Sequence, residues 1–149
     1  MYVVMIMSNL SCTFFGHRDC GEDIMPKLYS NIEQIIAEKG CKVFYVGNHG
    51  NFDAMASKLL QILKQKYEIK VYIVLAYMPI TKTRKYRHDT LLPEEIAGVP
   101  PKYAIIYRNK WMIEKSDFVI TYVRNDFGGA ASSKEYAVSK NKKIIELYK

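Results

Sequence analysis

Short runs of strand-forming residues alternate with longer segments of helical period along this chain. The strand-like runs lie at 11–15, 42–46, 70–75, 117–123 and 142–147. The helical segments lie at 22–39, 51–66, 102–116 and 131–140. A strand that is regularly followed by a helix is typical of a parallel sheet covered on both faces. The pattern therefore predicts an α/β fold, a single Rossmann-like three-layer domain over 1–149 with a mainly parallel five-stranded sheet.

Two stretches depart from this alternation. Residues 2–7, YVVMIM, are apolar throughout, and their pattern fits either an extra strand or a leader within 1–10. Residues 76–101 form a connection much longer than the usual turn of about 2 to 6 residues. Because such long connections in compact domains are usually functional, we expect its basic part, 82–88, to fold over a ligand as a lid.

Composition excludes several classes of protein. Hydrophobic residues are 49% and charged residues 25% of the 149, which is typical of a globular protein. The apolar start lacks a basic region and is shorter than the roughly 18 residues of a membrane span, so we expect a cytoplasmic protein without a membrane partner. The three cysteines have no metal-binding spacing. We expect no metal and no cofactor.

The net charge of +7 indicates an anionic partner. Nucleotides, nucleic acid and acidic membrane surfaces all satisfy this requirement. Charge alone does not choose among them.

The turns that follow the predicted strands carry the candidate chemistry, because ligands of open parallel sheets bind outside the carboxyl ends of the strands. Glycines there permit tight turns, and the first amides of the following helices attract anions. The predicted ligand-binding residues are Gly16, His17, Arg18, Gly47, Asn48, Phe52, Asp53, Arg108, Gly128, Gly129, Ala130, Ser132 and Glu135.

These residues also have purely structural interpretations. Any one of the glycines could serve backbone geometry alone. Ser132 and Glu135 have the spacing of a capping box, which needs no ligand. Arg108 shares a helix face with Ile105 and Met112, so its guanidinium either reaches out to water or binds an anion.

Two groups of motifs resemble known families. The stretch 107–135, YRNKWMIEKSDFVITYVRNDFGGAASSKE, resembles the signature of the Lonely Guy phosphoribohydrolases. CTFFGHR and YVGNHGNFD resemble a neighbouring, largely uncharacterised branch of the SLOG (SMF/DprA-LOG) superfamily. The resemblance covers about residues 11–147. It implies a Rossmann-like fold that binds nucleotides or their derivatives, often as a homodimer or higher homo-oligomer.

The resemblance and the net charge together leave three functions open. The first is binding of a nucleotide-derived ligand, ADP-ribose-like or a nucleoside monophosphate, by a sensor or sequestering protein. The second is a phosphoribohydrolase that cleaves the N-glycosidic bond of a nucleoside 5'-monophosphate, in which Arg108 and Glu135 are the catalytic residues. Because Ala131 and Ser132 depart from the hydrolase motif, we favour the first. The third is nucleic-acid binding through the basic 82–88 stretch; the other basic residues are scattered, so nucleic acid is not the expected partner.

Overall fold

The computed structural model describes residues 9–77 and 89–148. Its strands are β1 (Leu10–Gly16), β2 (Cys41–Val46), β3 (Lys70–Val74), β4 (Thr90–Leu91), β5 (Phe118–Tyr122) and β6 (Lys143–Glu146). Its α-helices are α1 (Met25–Lys39), α2 (Gly50–Leu63), α3 (Pro101–Lys115) and α4 (Gly129–Ser139). Single turns of 3-10 helix lie at Glu22–Ile24 and Glu94–Ile96.

The strands form one six-stranded sheet in the order β4-β3-β2-β1-β5-β6. All five pairings between neighbouring strands are parallel. The chain therefore builds outward from β1 in one direction through β4, then crosses back to place β5 and β6 on the other side of β1. This reversal puts the carboxyl ends of β1 and β5 beside each other with their connections leading away on opposite sides.

Two apolar layers hold the helices to the sheet, because successive side chains of a strand point to opposite faces. Phe14 and Phe44 lie in the layer that includes the buried faces of α1 and α2. Phe15 and Val119 lie in the layer with Met112 of α3 and Ala137 of α4. The central strand β1 is consequently buried on both sides, which fixes the turn that follows it.

The α/β class and the parallel Rossmann-like sheet are confirmed, and the element bounds agree with the predicted ones to within about three residues. The strand count of five was wrong. The sixth strand, β4, has only two residues and lies inside the long connection, so it is too short to show an alternating pattern. The predicted extra strand at 2–7 and the lid at 82–88 lie outside the described residues.

The capping box at Ser132 and Glu135 is not formed. Gly128 occupies the cap position of α4 with φ of 97°, a conformation that suits glycine, and no side chain caps the helix. Because α4 begins at Gly129, Ser132 already lies inside the first turn, where its N–H donates to Gly128 O at 3.0 Å.

None of the described helices is long and apolar enough to cross a bilayer.

Candidate functional site

A cleft of about 490 Å³ opens where the chain direction reverses, outside the carboxyl ends of β1 and β5. Its walls come from the turn after β1, the turn after β2, and helices α3 and α4. The lining residues are 15–19, His49, Asp53, Ile105, Arg108, Asn109, Met112, Gly129 and Ala130. The position is the one where ligands of open α/β sheets bind.

Arg108 is buried in one wall of this cleft, with 2% of its surface exposed. Its Nη1 donates to the backbone oxygen of Val74 at 2.9 Å and to Asn48 Oδ1 at 3.1 Å. Its Nε donates to Asn109 Oδ1 at 2.9 Å. The guanidinium is therefore held inside the protein. This excludes the alternative in which Arg108 only extends its charged end to bulk water.

Asp53 supplies the negative charge close to Arg108. Its Oδ2 accepts the backbone N–H of His49 at 3.0 Å. Burial raises the pKa of Asp53 to about 6, against the opposing effects of that hydrogen bond and of the Arg108 and Arg18 charges. Burial likewise lowers the pKa of Arg108, although the neighbouring Asp53 works against this. The two opposite charges interact electrostatically, and both groups lie in the lining of the cleft.

Gly47 leaves the space that this pair occupies. A Cβ atom at position 47 would lie 2.7 Å from Asp53 Oδ2 and 3.1 Å from Arg108 Cζ. Contacts that close would force one of the charged side chains to move. The glycine in this turn is thus required by the packing of Asp53 and Arg108, in addition to any role in the turn.

His49 extends the polar surface beside Arg108. Its Nδ1 lies 3.5 Å from Arg108 Nη2. Burial, and then the positive charges of Arg108 and Arg18, lower the pKa of His49, so that the imidazole is neutral at neutral pH. A neutral imidazole carries both a donor and an acceptor nitrogen toward a ligand.

The turns after β1 and β2 are in direct contact. The backbone N–H of Asn51 donates to Arg18 O at 2.9 Å, and Asn51 Nδ2 donates to Cys20 O at 3.3 Å. The ring of Phe52 lies where a side chain on residue 16 would be, so Gly16 is needed for this close approach. Phe52 itself is 1% exposed and belongs to the core, from where it supports the first turn.

Two exposed arginines lie near the mouth of the cleft, beside the carboxylate of Asp19. Arg18 and Arg124 are both exposed there, and Arg124 Nη2 lies 3.0 Å from Asp19 Oδ1. The backbone N–H of Arg124 donates to His17 Nε2 at 2.7 Å, which joins the turn after β5 to the turn after β1. Gly129 and Ala130 add the first turn of α4, whose amides have no partners within the helix and carry partial positive charge.

The structure brings together seven of the predicted ligand-binding residues in the lining of the cleft. They are Gly16, His17, Arg18, Asp53, Arg108, Gly129 and Ala130. Three more support that lining through the contacts described above: Gly47, Asn48 and Phe52.

Three predicted residues lie outside the lining: Gly128, Ser132 and Glu135. All three are exposed. Arg108 and Glu135, the proposed catalytic pair of a hydrolase, therefore do not line one cavity.

The predicted set of ligand-binding residues leaves out several residues of the site. His49 and Asn109 line the cleft, and Arg124 stands at its mouth. His49 and Arg124 lie in the turns that the strand-end argument had already singled out, so their position was the available signal. The sequence could not indicate Asn109, because its position on the cleft side of α3 depends on the rotation of that helix about its axis.

The fold is similar to that of two solved structures. The first is DNA processing protein A (DprA) from Streptococcus pneumoniae, with a TM-score of 0.69 and 16% identity over 93% of this chain. The chain shares its fold with DprA. The second is DprA from Helicobacter pylori, whose structure is described by its single-stranded DNA binding mode, with a TM-score of 0.67 and 17% identity over 97% of this chain. This chain spans 50% of the first protein and 67% of the second. No family model and no curated protein matches the sequence.

These similarities correct one expectation and refine another. The expectation that nucleic acid is an unlikely partner was wrong: it rested on scattered basic residues, and a protein with this same fold binds single-stranded DNA. The SLOG resemblance agrees with the DprA-like fold. Neither structure is a Lonely Guy phosphoribohydrolase, so that closer relation stays a prediction.

Proposed function

We propose that this protein binds single-stranded nucleic acid, with the sugar-phosphate backbone entering the cleft at the carboxyl ends of β1 and β5. The observation that carries the proposal is a cleft with two exposed arginines, Arg18 and Arg124, at its mouth, in a fold shared with DprA, one example of which binds single-stranded DNA. The net charge of +7 agrees with a polyanionic partner.

The groups at the mouth of the cleft and those deeper inside it have different roles in binding. Arg18 and Arg124 are exposed, so they can pair with phosphates and release counterions. The first turn of α4 at Gly129 and Ala130 lets a phosphate approach backbone amides closely. Arg108 and Asp53 lie deeper in the cleft than the exposed arginines. They hold the surrounding polar side chains in place, and these side chains orient the bound nucleic-acid strand.

The exposed arginines and the polar groups inside the cleft contribute differently to sequence specificity. Contacts to phosphates position a strand without reading its sequence. A neutral His49 and the Asn109 amide, both in the lining, offer donors and acceptors to a base or a sugar. We expect a preference for single strands over duplex, because a single strand can place one nucleotide inside a cleft of about 490 Å³.

A second candidate is a free nucleotide or a nucleotide derivative such as ADP-ribose in the same cleft. The buried Arg108 beside Asp53 favours it, because a buried arginine in a small cavity suits one phosphate group as well as a polymer. Its hydrolase form draws no support from Glu135, which is exposed and outside the lining.

The test compares labelled single-stranded DNA, single-stranded RNA and duplex DNA by fluorescence anisotropy over a range of salt. We expect single strands to bind more tightly than duplex, and the affinity to fall steeply as salt rises. Arg18→Ala should weaken binding, whereas Lys39→Ala at the far end of α1 is the matched control and should not.

Mononucleotides and ADP-ribose are then added to the same samples. A ligand that raises the melting temperature and displaces no nucleic acid would favour the second candidate. Absence of single-strand binding at low salt would refute the proposal.

A further inference from the structure

The outer side of α3 carries a row of aromatic rings that the cleft does not use. Tyr103, Tyr107 and Trp111 follow one another at intervals of four residues, which puts them on one side of the helix. Tyr103 is 46% and Tyr107 49% exposed. Trp111 is partly buried against Tyr45 of β2, whereas two large exposed rings one helical turn apart indicate an interaction surface.

Lysine ammonium groups lie over the rings of this helix and of the adjacent α4. Lys102 Nζ is 5.3 Å from the centre of the Tyr103 ring, and Lys115 Nζ is 5.6 Å from that of Trp111. On α4, the ring of Tyr136 is approached by Lys110 at 5.1 Å and Lys140 at 5.3 Å. We name these seven residues, together with Tyr107, the aromatic-lysine face. Rings and cations alternate along it, as on surfaces that bind single strands.

A groove of about 370 Å³ runs along this face beside Tyr107 and Trp111, with Ile96 as its apolar wall. It is large enough for one planar base. Glu95 and Glu114 also line it, so the groove itself disfavours phosphate, which leaves the lysines of the face to hold the backbone.

We propose that the aromatic-lysine face binds a second segment of the same single-stranded nucleic acid, with bases stacked on Tyr103 and Tyr107 and phosphates near the lysines. The inference rests on the proposed function of the cleft. A second copy of this chain fits the face less well, because a two-fold contact would bring each lysine row against its own copy.

The two surfaces lie on different sides of α3. Arg108 and Met112 face the cleft, whereas the tyrosines face outward. A strand must therefore pass around the helix to reach both. An oligonucleotide of about 5 residues can fill the cleft alone, while one of about 20 has the length to occupy both surfaces.

The test uses the double variant Tyr103→Ala/Tyr107→Ala in the full chain. Both side chains are about half exposed, so the variant should fold, and circular dichroism checks that it does. We expect its affinity for the oligonucleotide of about 20 residues to fall about tenfold or more, with unchanged affinity for the one of about 5. The control variant Lys39→Ala/Lys42→Ala carries its substitutions at the end of α1 and the start of β2, and should bind both as the wild type does.

Trp111 gives an independent readout, because it is the single tryptophan of the chain. We expect its fluorescence to change when the longer oligonucleotide binds and to stay constant with the shorter one.

The outcomes separate the two proposals. Affinity of the double variant for the longer oligonucleotide that equals the affinity of the wild type, together with constant tryptophan fluorescence in the wild type, would overturn the second surface and leave the cleft intact. Failure of both oligonucleotides to bind the wild type would overturn both proposals. A change of oligomeric state in the double variant without loss of affinity would assign the face to self-association and also overturn the inference.

Discussion

Replacing Asp53 with asparagine should change how the stability of this protein depends on pH. Asparagine has nearly the same shape as aspartate, and its amide oxygen can still accept the backbone N–H of His49. It removes the carboxylate that burial forces to titrate at a pKa of about 6 instead of 3.8. The substitution thus isolates the energetic consequence of that burial.

The sign follows from the direction of the shift. A carboxyl whose pKa is higher in the folded than in the unfolded chain holds its proton more tightly when folded. Its contribution to stability is present in full below the unfolded pKa of 3.8 and is lost as the pH rises through the folded value of about 6. In full, the difference between those pKa values corresponds to about 3 kcal/mol as an upper limit.

Only part of this free energy changes over the pH range in which the two proteins can be compared. Between about pH 5 and about pH 7.5, the same two pKa values lower the free energy of unfolding of the wild type by about 1.4 kcal/mol. The asparagine variant has no carboxyl at this position and lacks this decrease. Urea denaturation of both proteins at the two pH values measures it. The free energy of unfolding of the wild type relative to the variant should fall by that amount as the pH rises.

The control variant is Asp126→Asn, which removes a carboxylate from an exposed turn and should follow the wild type. Parallel pH profiles of the wild type and the Asp53 variant would refute the reasoning. They would mean that the carboxylate is well solvated and that its pairing with Arg108 is not buried.

Three further perturbations test the architecture of the cleft. Gly47→Ala places a methyl group 2.7 Å from Asp53 Oδ2 and 3.1 Å from Arg108 Cζ, so it should destabilise the fold by about 1 to 3 kcal/mol in urea denaturation; unchanged stability would contradict the tight packing. Phe52→Ala removes a side chain that is 1% exposed, and thermal unfolding should show a loss of about 3 to 5 kcal/mol. Arg124→Ala should reduce the slope of log affinity for single strands against log salt by about 1; an unchanged slope would remove this residue from the binding surface.

The fold was predictable because its dominant signal is local. Apolar runs of strand length alternate with helical segments, and the parallel sheet follows from that order. The strand-end rule then brought Arg18 and Asp53 to one place without knowledge of any contact. Arg108 was harder to place, because the same helix face suits an exposed or a buried guanidinium and only the packing of Val74 and Asn48 around it decides.

The errors came from short or boundary features. Two residues of β4 pair with β3 through backbone groups alone, and no side-chain pattern reveals such a strand. The predicted start of α4, residue 131, is two residues late, because Gly128 takes the cap position with a positive φ. Glu135 was expected either to cap α4 or to line the cleft. Because α4 begins earlier than predicted, Glu135 lies inside the helix and does neither.

The contact between Gly16 and Phe52, together with the bonds of Asn51 to the first turn, has a practical consequence for protein engineering. Neither turn can be exchanged for one from another protein without leaving a hole or a clash beneath the other. A transplant of this cleft into a new scaffold should therefore carry residues 16–20 and 47–53 as a matched set, and libraries that vary them should sample both together.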